Sequence, residues 1–307
     1  MRVGTRLLIL KLAFAAAALA VLLLAMHLLL PGLLGRSAPP PPGAGQARAE
    51  TKSARVTVPR DGGNLPSGPR VALQVAGQVE SFVQAFCAEL GPTLGLQRPA
   101  EKLDIHVLGT HAEAEAFAQG RKLKPDPAHP SAFHDPASGT LVVTLRPYPD
   151  LVGLVLHMAT HLLMDRAGGP DAQWSTWLAV GMAVCAEQGA LQPGPVRPGS
   201  GMGRDAFVVL SVASRGAHVP LHMLARGGPA LFAGPLGSLA YRESGLLVLY
   251  LLRGPAAGRR QAFLRYLHLE RQPGPVAPGA LEAALGTDLN GLETEWFVFL
   301  RAIARSR

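Results

Sequence analysis

The sequence predicts an α+β domain that follows one transmembrane helix. Residues 12–34 form a nearly continuous apolar run of 23 residues. Apolar residues that alternate with polar ones between residues 103 and 145 predict short strands, and apolar residues at helical spacing on either side predict helices. We therefore expect a small N-terminal sheet, two central helices and a helical C-terminal part.

The N-terminal segment has the features of a signal anchor. Its apolar run is longer than the roughly 20 residues that cross a bilayer, and longer than the roughly 7–15 of a signal-peptide core. The basic residues Arg2, Arg6 and Lys11 precede the run, so the positive-inside rule places residues 1–11 in the cytoplasm as a basic tail. We expect a single-pass cell-membrane protein, anchored by residues 12–34, whose C-terminal domain is extracytoplasmic. Export followed by signal cleavage is the alternative.

Residues 35–70 are predicted to be a Pro/Gly-rich linker. The segment includes four consecutive prolines at positions 39–42 and becomes polar afterwards, a composition that favours an extended tether. Residues 1–70 hold nine of the 29 Lys and Arg residues, but only Glu50 and Asp61 of the 21 acidic residues. Most of the formal net charge of +8 therefore precedes the domain, and we expect no nucleic-acid partner.

The globular domain is expected to cover residues 71–307. A helical stripe that begins at Val75 is predicted to end at Gly91-Pro92, and the alternation of Leu103, Ile105 and Val107 predicts a strand. A short helix at 111–118 and a hairpin with strands at 132–134 and 141–145 follow. Further helices are predicted near residues 205–215, 238–253, 257–270 and 289–304.

The most informative stretch is residues 151–187, which reads as two helices separated by Gly168-Gly169-Pro170. Asp150 is predicted to be the N-cap of the first helix. His157 and His161 are four residues apart, so both imidazoles leave the same helix face. This is the spacing of the first two zinc ligands in an H-E-x-x-H motif, but Met158 stands where that motif has its Glu.

The second helix carries Trp177-Leu178-Ala179-Val180-Gly181-Met182-Ala183. Together, the two helices resemble the gluzincin metallopeptidases in their bacterial peptidase-MA-like form, where H-E-x-x-H is followed by W-L-x-E-G-x-A. The resemblance covers most of the chain after about residue 71 and implies a gluzincin fold. Val180 matches the Glu that is the third zinc ligand, and Tyr241 matches a Tyr that stabilises the tetrahedral intermediate in aminopeptidase-like members. Residues 286–296 are similar to the closing segment of the family.

The catalytic groups of that family are missing from the matching positions. A thioether at Met158 cannot exchange a proton, and Val180 has no donor atom for zinc. We therefore expect no catalytic residue, with Met158 and Val180 as degenerate positions and Tyr241 as a vestigial one. His157 and His161 are interpreted as a vestigial metal pair. No cofactor is expected, although zinc at low affinity is possible.

Other candidate residues receive a structural interpretation. Pro220 separates His218 from His222 and argues against a shared helix face, so we expect these two in a loop and at a helix start. Cys185 and Glu187 are not expected to replace the third ligand, because helix geometry places them away from the ligand position. Cys87 and Cys185 could form a disulfide or remain two buried thiols. The other histidines of the domain are expected at the surface: His106, His111, His129, His134 and His268.

Three functions are consistent with the sequence. The first is a membrane-anchored extracytoplasmic pseudopeptidase that keeps a metallopeptidase scaffold for binding or assembly, with a protein partner outside the cytoplasm. The second is an active zinc-dependent peptidase with an unorthodox base and third ligand. The third is a purely structural cell-envelope protein.

Overall fold

A computed structural model describes residues 45–60, 67–121, 123–125, 129, 131–169, 173–191 and 201–305. The predicted basic tail and the predicted membrane span at residues 12–34 lie outside these ranges. Among the helices of the described ranges, none is both long enough and apolar enough to cross a bilayer.

A mixed sheet forms one part of the domain, as the α+β prediction requires. Its strand order is β1-β2-β3-β6-β5-β4, with parallel pairing of β2 with β3 and of β3 with β6 and antiparallel pairing elsewhere. The predicted hairpin is confirmed as β5 and β6. The strands are β1 (Gln46–Glu50), β2 (Ala54–Pro59), β3 (Leu103–Leu108), β4 (Lys124–Pro125), β5 (Ala132–Asp135) and β6 (Thr140–Thr144).

The linker prediction is wrong for residues 46–59, which form the first two strands of the sheet. Ala54, Val56 and Val58 point to one side of β2 and are fully buried, a period-2 pattern inside an otherwise polar segment. The carboxylate of Glu80 accepts a hydrogen bond from the Ser53 backbone N–H at 2.8 Å and fixes the start of β2 to the helix that follows. The compact unit therefore begins at Gly45 rather than at residue 71.

Helices make up most of the remaining described residues. The helix that carries His157 contacts β5 and β6, and the first helix packs on β1 and β2. The helices are α1 (Gly68–Leu94), α2 (His111–Arg121), α3 (Tyr148–Gly168), α4 (Thr176–Glu187), α5 (Gly201–Ala213), α6 (Leu221–Arg226), α7 (Pro229–Ala233), α8 (Gly237–Arg253), α9 (Arg259–Glu270), α10 (Ala280–Leu285) and α11 (Leu289–Arg305).

Two predicted helix boundaries are wrong. Helix α1 continues through Pro92 and ends at Gly95, whose φ of 60° provides a left-handed cap. Helix α3 begins earlier than predicted, with Pro147 as its N-cap, so Asp150 lies in the first turn instead of capping. A carboxylate in the first turn still stabilises the helix, because the N-terminal end of the helix dipole is positive.

Helix α4 lies between α3 and α8 and is almost completely buried. Its sequence is apolar on all sides, as expected of a helix with neighbours on every face. Two glycines allow close approach to α8: a Cβ on Gly181 would lie 2.5 Å from the Ser244 carbonyl oxygen, and one on Gly245 would lie 2.4 Å from Cγ1 of Val184. This packing fixes the position of the side chains at the C-terminal end of α4.

Candidate functional site

The predicted histidine pair lies on one face of α3. The Nε2 atoms of His157 and His161 are 3.2 Å apart, and the His157 side chain is fully buried. Adjacent ligand atoms of a tetrahedral zinc ion with bonds of about 2.0–2.1 Å are separated by about 3.3 Å. The separation of the pair therefore matches that of two zinc ligands.

The other positions of the resembled motif are apolar and buried. Met158 is 0% exposed, Val180 is 4% exposed, and both belong to the main hydrophobic core. Across the part of the chain that the structure describes, no carboxylate, thiol or third imidazole forms a compact metal-ligand group with both His157 and His161. The residues at the motif positions thus do not fit a three-ligand zinc site.

A second set of polar groups meets the opposite edge of the His157 ring. The Nδ1 atom of His157 lies 3.2 Å from Oε2 of Glu187 and 3.1 Å from the phenol oxygen of Tyr241. The Tyr241 hydroxyl donates to the same Glu187 oxygen at 2.5 Å. The Nε2 atom of His129 lies 2.8 Å from the Tyr241 oxygen and 3.7 Å from the Glu187 oxygen. Two imidazoles, a carboxylate and a phenol therefore converge.

One sequence-based expectation fails at this cluster, and a second residue was not predicted in it. Glu187 was excluded only as a third ligand of the histidine pair; its carboxylate contacts the Nδ1 edge of His157, because the end of α4 lies beside the early turns of α3. Gly153, one turn before His157, makes room: a Cβ there would approach Cγ of Glu187 to 3.2 Å. His129 was expected at the surface, but its side chain is only 15% exposed and packs edge-on against His157. It lies between β4 and β5 in the sequence and belongs to neither strand, so no periodic pattern could indicate its position.

The environment of Glu187 keeps it ionised. Burial raises the pKa of this carboxyl, but the hydrogen bonds from His157 and Tyr241, the His129 ring at 3.7 Å and the charge of His157 lower the pKa by more than burial raises it, to a value well below the usual range. The side chain remains 24% exposed, so the cluster is open to solvent at Glu187.

The polar cluster continues beyond His161. The His161 ring stacks on the ring of His134, with centroids 5.8 Å apart, and Nε2 of His134 lies 3.2 Å from Oδ2 of Asp165. His134 was also expected at the surface but is only 16% exposed. Its position on β5 next to α3 depends on how the sheet packs against that helix, which local sequence does not determine.

The remaining candidates lie away from this cluster. Nε2 of His218 lies 2.5 Å from Oε1 of Glu293. His111, His222 and His268 are exposed, and exposure was predicted for His111 and His268. His106 is half-buried beside Asp104. Cys87 and Cys185 are both free, so they do not form the disulfide; Cys185 is buried, whereas Cys87 is only half-buried. The Cys185 thiol donates to the Gly245 carbonyl on α8, and burial raises its pKa far above the usual range.

A second set of residues, which shares only His157 with the predicted pair, could therefore hold a metal. His129, His157 and Glu187 each offer one ligand atom, and these atoms all lie within 4.8 Å of one another. Tyr241 adds a hydroxyl to the same space.

Comparisons with protein-family models, curated proteins and solved structures find no match to this chain. The relation to the gluzincins consequently remains a prediction from the motif residues.

Proposed function

We propose that the chain is a membrane-anchored extracytoplasmic pseudopeptidase, which keeps a gluzincin-like scaffold for binding or assembly and does not hydrolyse peptides. The observation that carries the proposal is the burial of Met158 in the apolar core at the position of the general base. The apolar run at residues 12–34, with basic residues before it, supports the membrane anchor.

Peptide hydrolysis by this family requires a carboxylate that takes a proton from water and passes it to the leaving amine. Met158 cannot do so. The Glu187 carboxylate contacts His157, but its hydrogen bonds with His157 and Tyr241 and the nearby His129 ring depress its pKa. A carboxylate with such a low pKa accepts protons poorly near neutral pH, so Glu187 is a weak substitute for the missing base.

Zinc at the motif positions is also unfavourable. The separation of His157 and His161 fits two ligands, but Val180 occupies the position of the third with a side chain that cannot coordinate. With two imidazoles alone, an ion would be held weakly. The same scaffold with intact helices α3, α4 and α8 can still present a surface to a protein partner.

The competing function is a zinc-dependent peptidase that uses an unorthodox ligand set. The convergence of His129, His157, Glu187 and Tyr241 favours it, since these residue types include imidazole and carboxylate ligands and a hydroxyl donor. The carboxylate of this set, Glu187, is already hydrogen-bonded to Tyr241 and His157, which argues against its use as the base.

The test is an activity comparison on the full-length protein in detergent. Wild type, Glu187→Gln and the exposed control Glu115→Gln are incubated with zinc chloride and a quenched fluorescent peptide library. We expect all three to give the same background rate. A wild-type rate at least tenfold above that of Glu187→Gln, shared by Glu115→Gln, overturns the proposal and establishes a hydrolase.

A further inference from the structure

The cluster on the Nδ1 side of His157 has the donor set of a metal centre. It contains two imidazole nitrogens and one carboxylate oxygen, the ligands of a His₂-carboxylate zinc site. We propose that His129, His157 and Glu187 form a divalent-metal site in which His157 binds through Nδ1. The peptidase motif would instead place the metal between the Nε2 atoms of His157 and His161.

The distances agree with this assignment. The edge of a tetrahedral zinc site is about 3.3 Å. The Glu187 Oε2 atom lies 3.2 Å from Nδ1 of His157 and 3.7 Å from Nε2 of His129. The three donor atoms all lie within 4.8 Å of one another, so an inward movement of about 1 Å, shared between the side chains, brings them to bonding distance of one ion.

The ligands are held in place by separate parts of the fold. His157 is on α3 and Glu187 is on α4, and the two helices pack against each other in the core. Gly153 allows the Glu187 side chain to reach this position. The partial exposure of His129 and Glu187 gives an ion access from solvent, so no opening of the core is required.

His161 acquires a different role in this site. A metal-bound imidazole usually donates its second ring N–H to an acceptor that fixes the ring orientation. The Nε2 atom of His157 faces Nε2 of His161 at 3.2 Å, and the His161 ring is supported by stacking on His134. His161 is thus a positioning residue for His157 and not a ligand.

The donor set also indicates the class of metal. Two imidazoles and one carboxylate suit zinc, cobalt and nickel, whereas magnesium and calcium require six or more oxygen ligands. The Tyr241 phenol oxygen contacts all three donor atoms, at 2.5, 2.8 and 3.1 Å, so this oxygen is placed to be the fourth ligand of an ion bound there. The proposed metal site follows from the positions of its ligands and does not depend on whether the chain hydrolyses peptides.

The test measures metal binding directly. Full-length protein, stripped with a chelator, is titrated with zinc chloride, and the cobalt form is examined by visible absorption for tetrahedral bands. The variants are His129→Ala, Glu187→Gln and His161→Ala. His111→Ala and Glu115→Gln, which remove an exposed pair of the same residue types, are the matched controls.

We expect one zinc per chain in wild type and in both controls. His129→Ala and Glu187→Gln should each weaken binding by more than about 100-fold, because a three-ligand site becomes a two-ligand one. His161→Ala should weaken it by only about 10–100-fold, the usual effect of losing an orienting partner.

Three outcomes overturn the proposal. One is wild-type binding no tighter than that of Glu187→Gln. Another is binding abolished by His161→Ala and unchanged by His129→Ala, which places the ion on the Nε2 side with Glu187 as the orienting carboxylate. The third is a cobalt spectrum without tetrahedral bands. Far-UV circular dichroism on each variant confirms that a loss of binding is not a loss of fold.

Discussion

The Oε2 atom of Glu187 lies 3.2 Å from Nδ1 of His157, on the opposite edge of the imidazole from the one that faces His161. This contact joins the end of α4 to the middle of α3 and places a carboxylate beside a fully buried histidine. Polar side chains thus meet His157 on the edge that faces away from His161 as well as on the edge that faces it, while Met158 and Val180 are part of the core.

Replacement of Met158 by Glu tests whether position 158, which matches the general-base Glu of the gluzincin motif, is part of the apolar core. An ionised carboxylate in this fully buried apolar site lacks a partner, so we expect Met158→Glu to lower the free energy of unfolding by about 3 kcal/mol. Met158→Leu, which roughly conserves volume, should cost less than about 1.5 kcal/mol. The measurement is chemical denaturation. Equal stability of the two variants would mean that position 158 faces a polar cavity, as in a working peptidase.

The close packing of α4 on α8 depends on Gly245. A Cβ at this position meets Cγ1 of Val184 at 2.4 Å, so Gly245→Ala should destabilise the protein by about 1–3 kcal/mol. Gly77 on α1 is an exposed helical control with no neighbour within 4 Å, and Gly77→Ala should stabilise by about 0.5–1 kcal/mol through helix propensity. Thermal denaturation of both variants should show opposite signs, and equal shifts would refute the packing argument.

Strands β1 and β2 belong to the folded domain. A chain that starts at Gly45 should give a soluble protein with one cooperative unfolding transition. A chain that starts at Val71 lacks both strands, leaves the β3 edge unpaired and uncovers the core face that Val56 and Val58 cover. We expect it to aggregate or to unfold without cooperativity. If both chains unfold alike, the linker prediction was correct.

Glu243 should make stability depend on pH. Burial raises its pKa to about 8, although a hydrogen bond from the Val219 N–H opposes this and the nearby Glu293 adds to it. Because the folded-state pKa is above the unfolded value, the contribution to stability is complete below about pH 4.5 and is lost as the pH rises through about 8. Glu243→Gln keeps an acceptor for Val219 and removes the titration.

The unfolding free energy of Glu243→Gln, relative to wild type, should therefore rise by about 2–4 kcal/mol between pH 5 and pH 8.5. Denaturation series at both pH values measure it. A constant difference between the two proteins would show that Glu243 is ionised in the folded state throughout this range.

Local patterns predicted much of this fold. The spacing of His157 and His161 placed them on one helix face, and the glycines after Ala167 ended that helix as expected. The hairpin of β5 and β6 was visible because β-branched and aromatic residues flank a run of turn formers. These features depend on residues close together in sequence.

The polar cluster could not be predicted in this way. His129 and Tyr241 are 112 residues apart, and the contact between Glu187 and His157 depends on the crossing of two helices and on the missing side chain of Gly153. The gluzincin motif also predicted the third ligand at position 180, which is Val180 and lies two helical turns before Glu187. One signal was available: Glu187 is the only carboxylate on α4.

The most direct test of the proposed metal site at His129, His157 and Glu187 is anomalous X-ray diffraction at the zinc edge, from crystals of the protein grown with zinc chloride. We predict one peak within bonding distance of Nε2 of His129, Nδ1 of His157 and the Glu187 carboxylate. A peak between the Nε2 atoms of His157 and His161, or no peak near His157, would contradict the account.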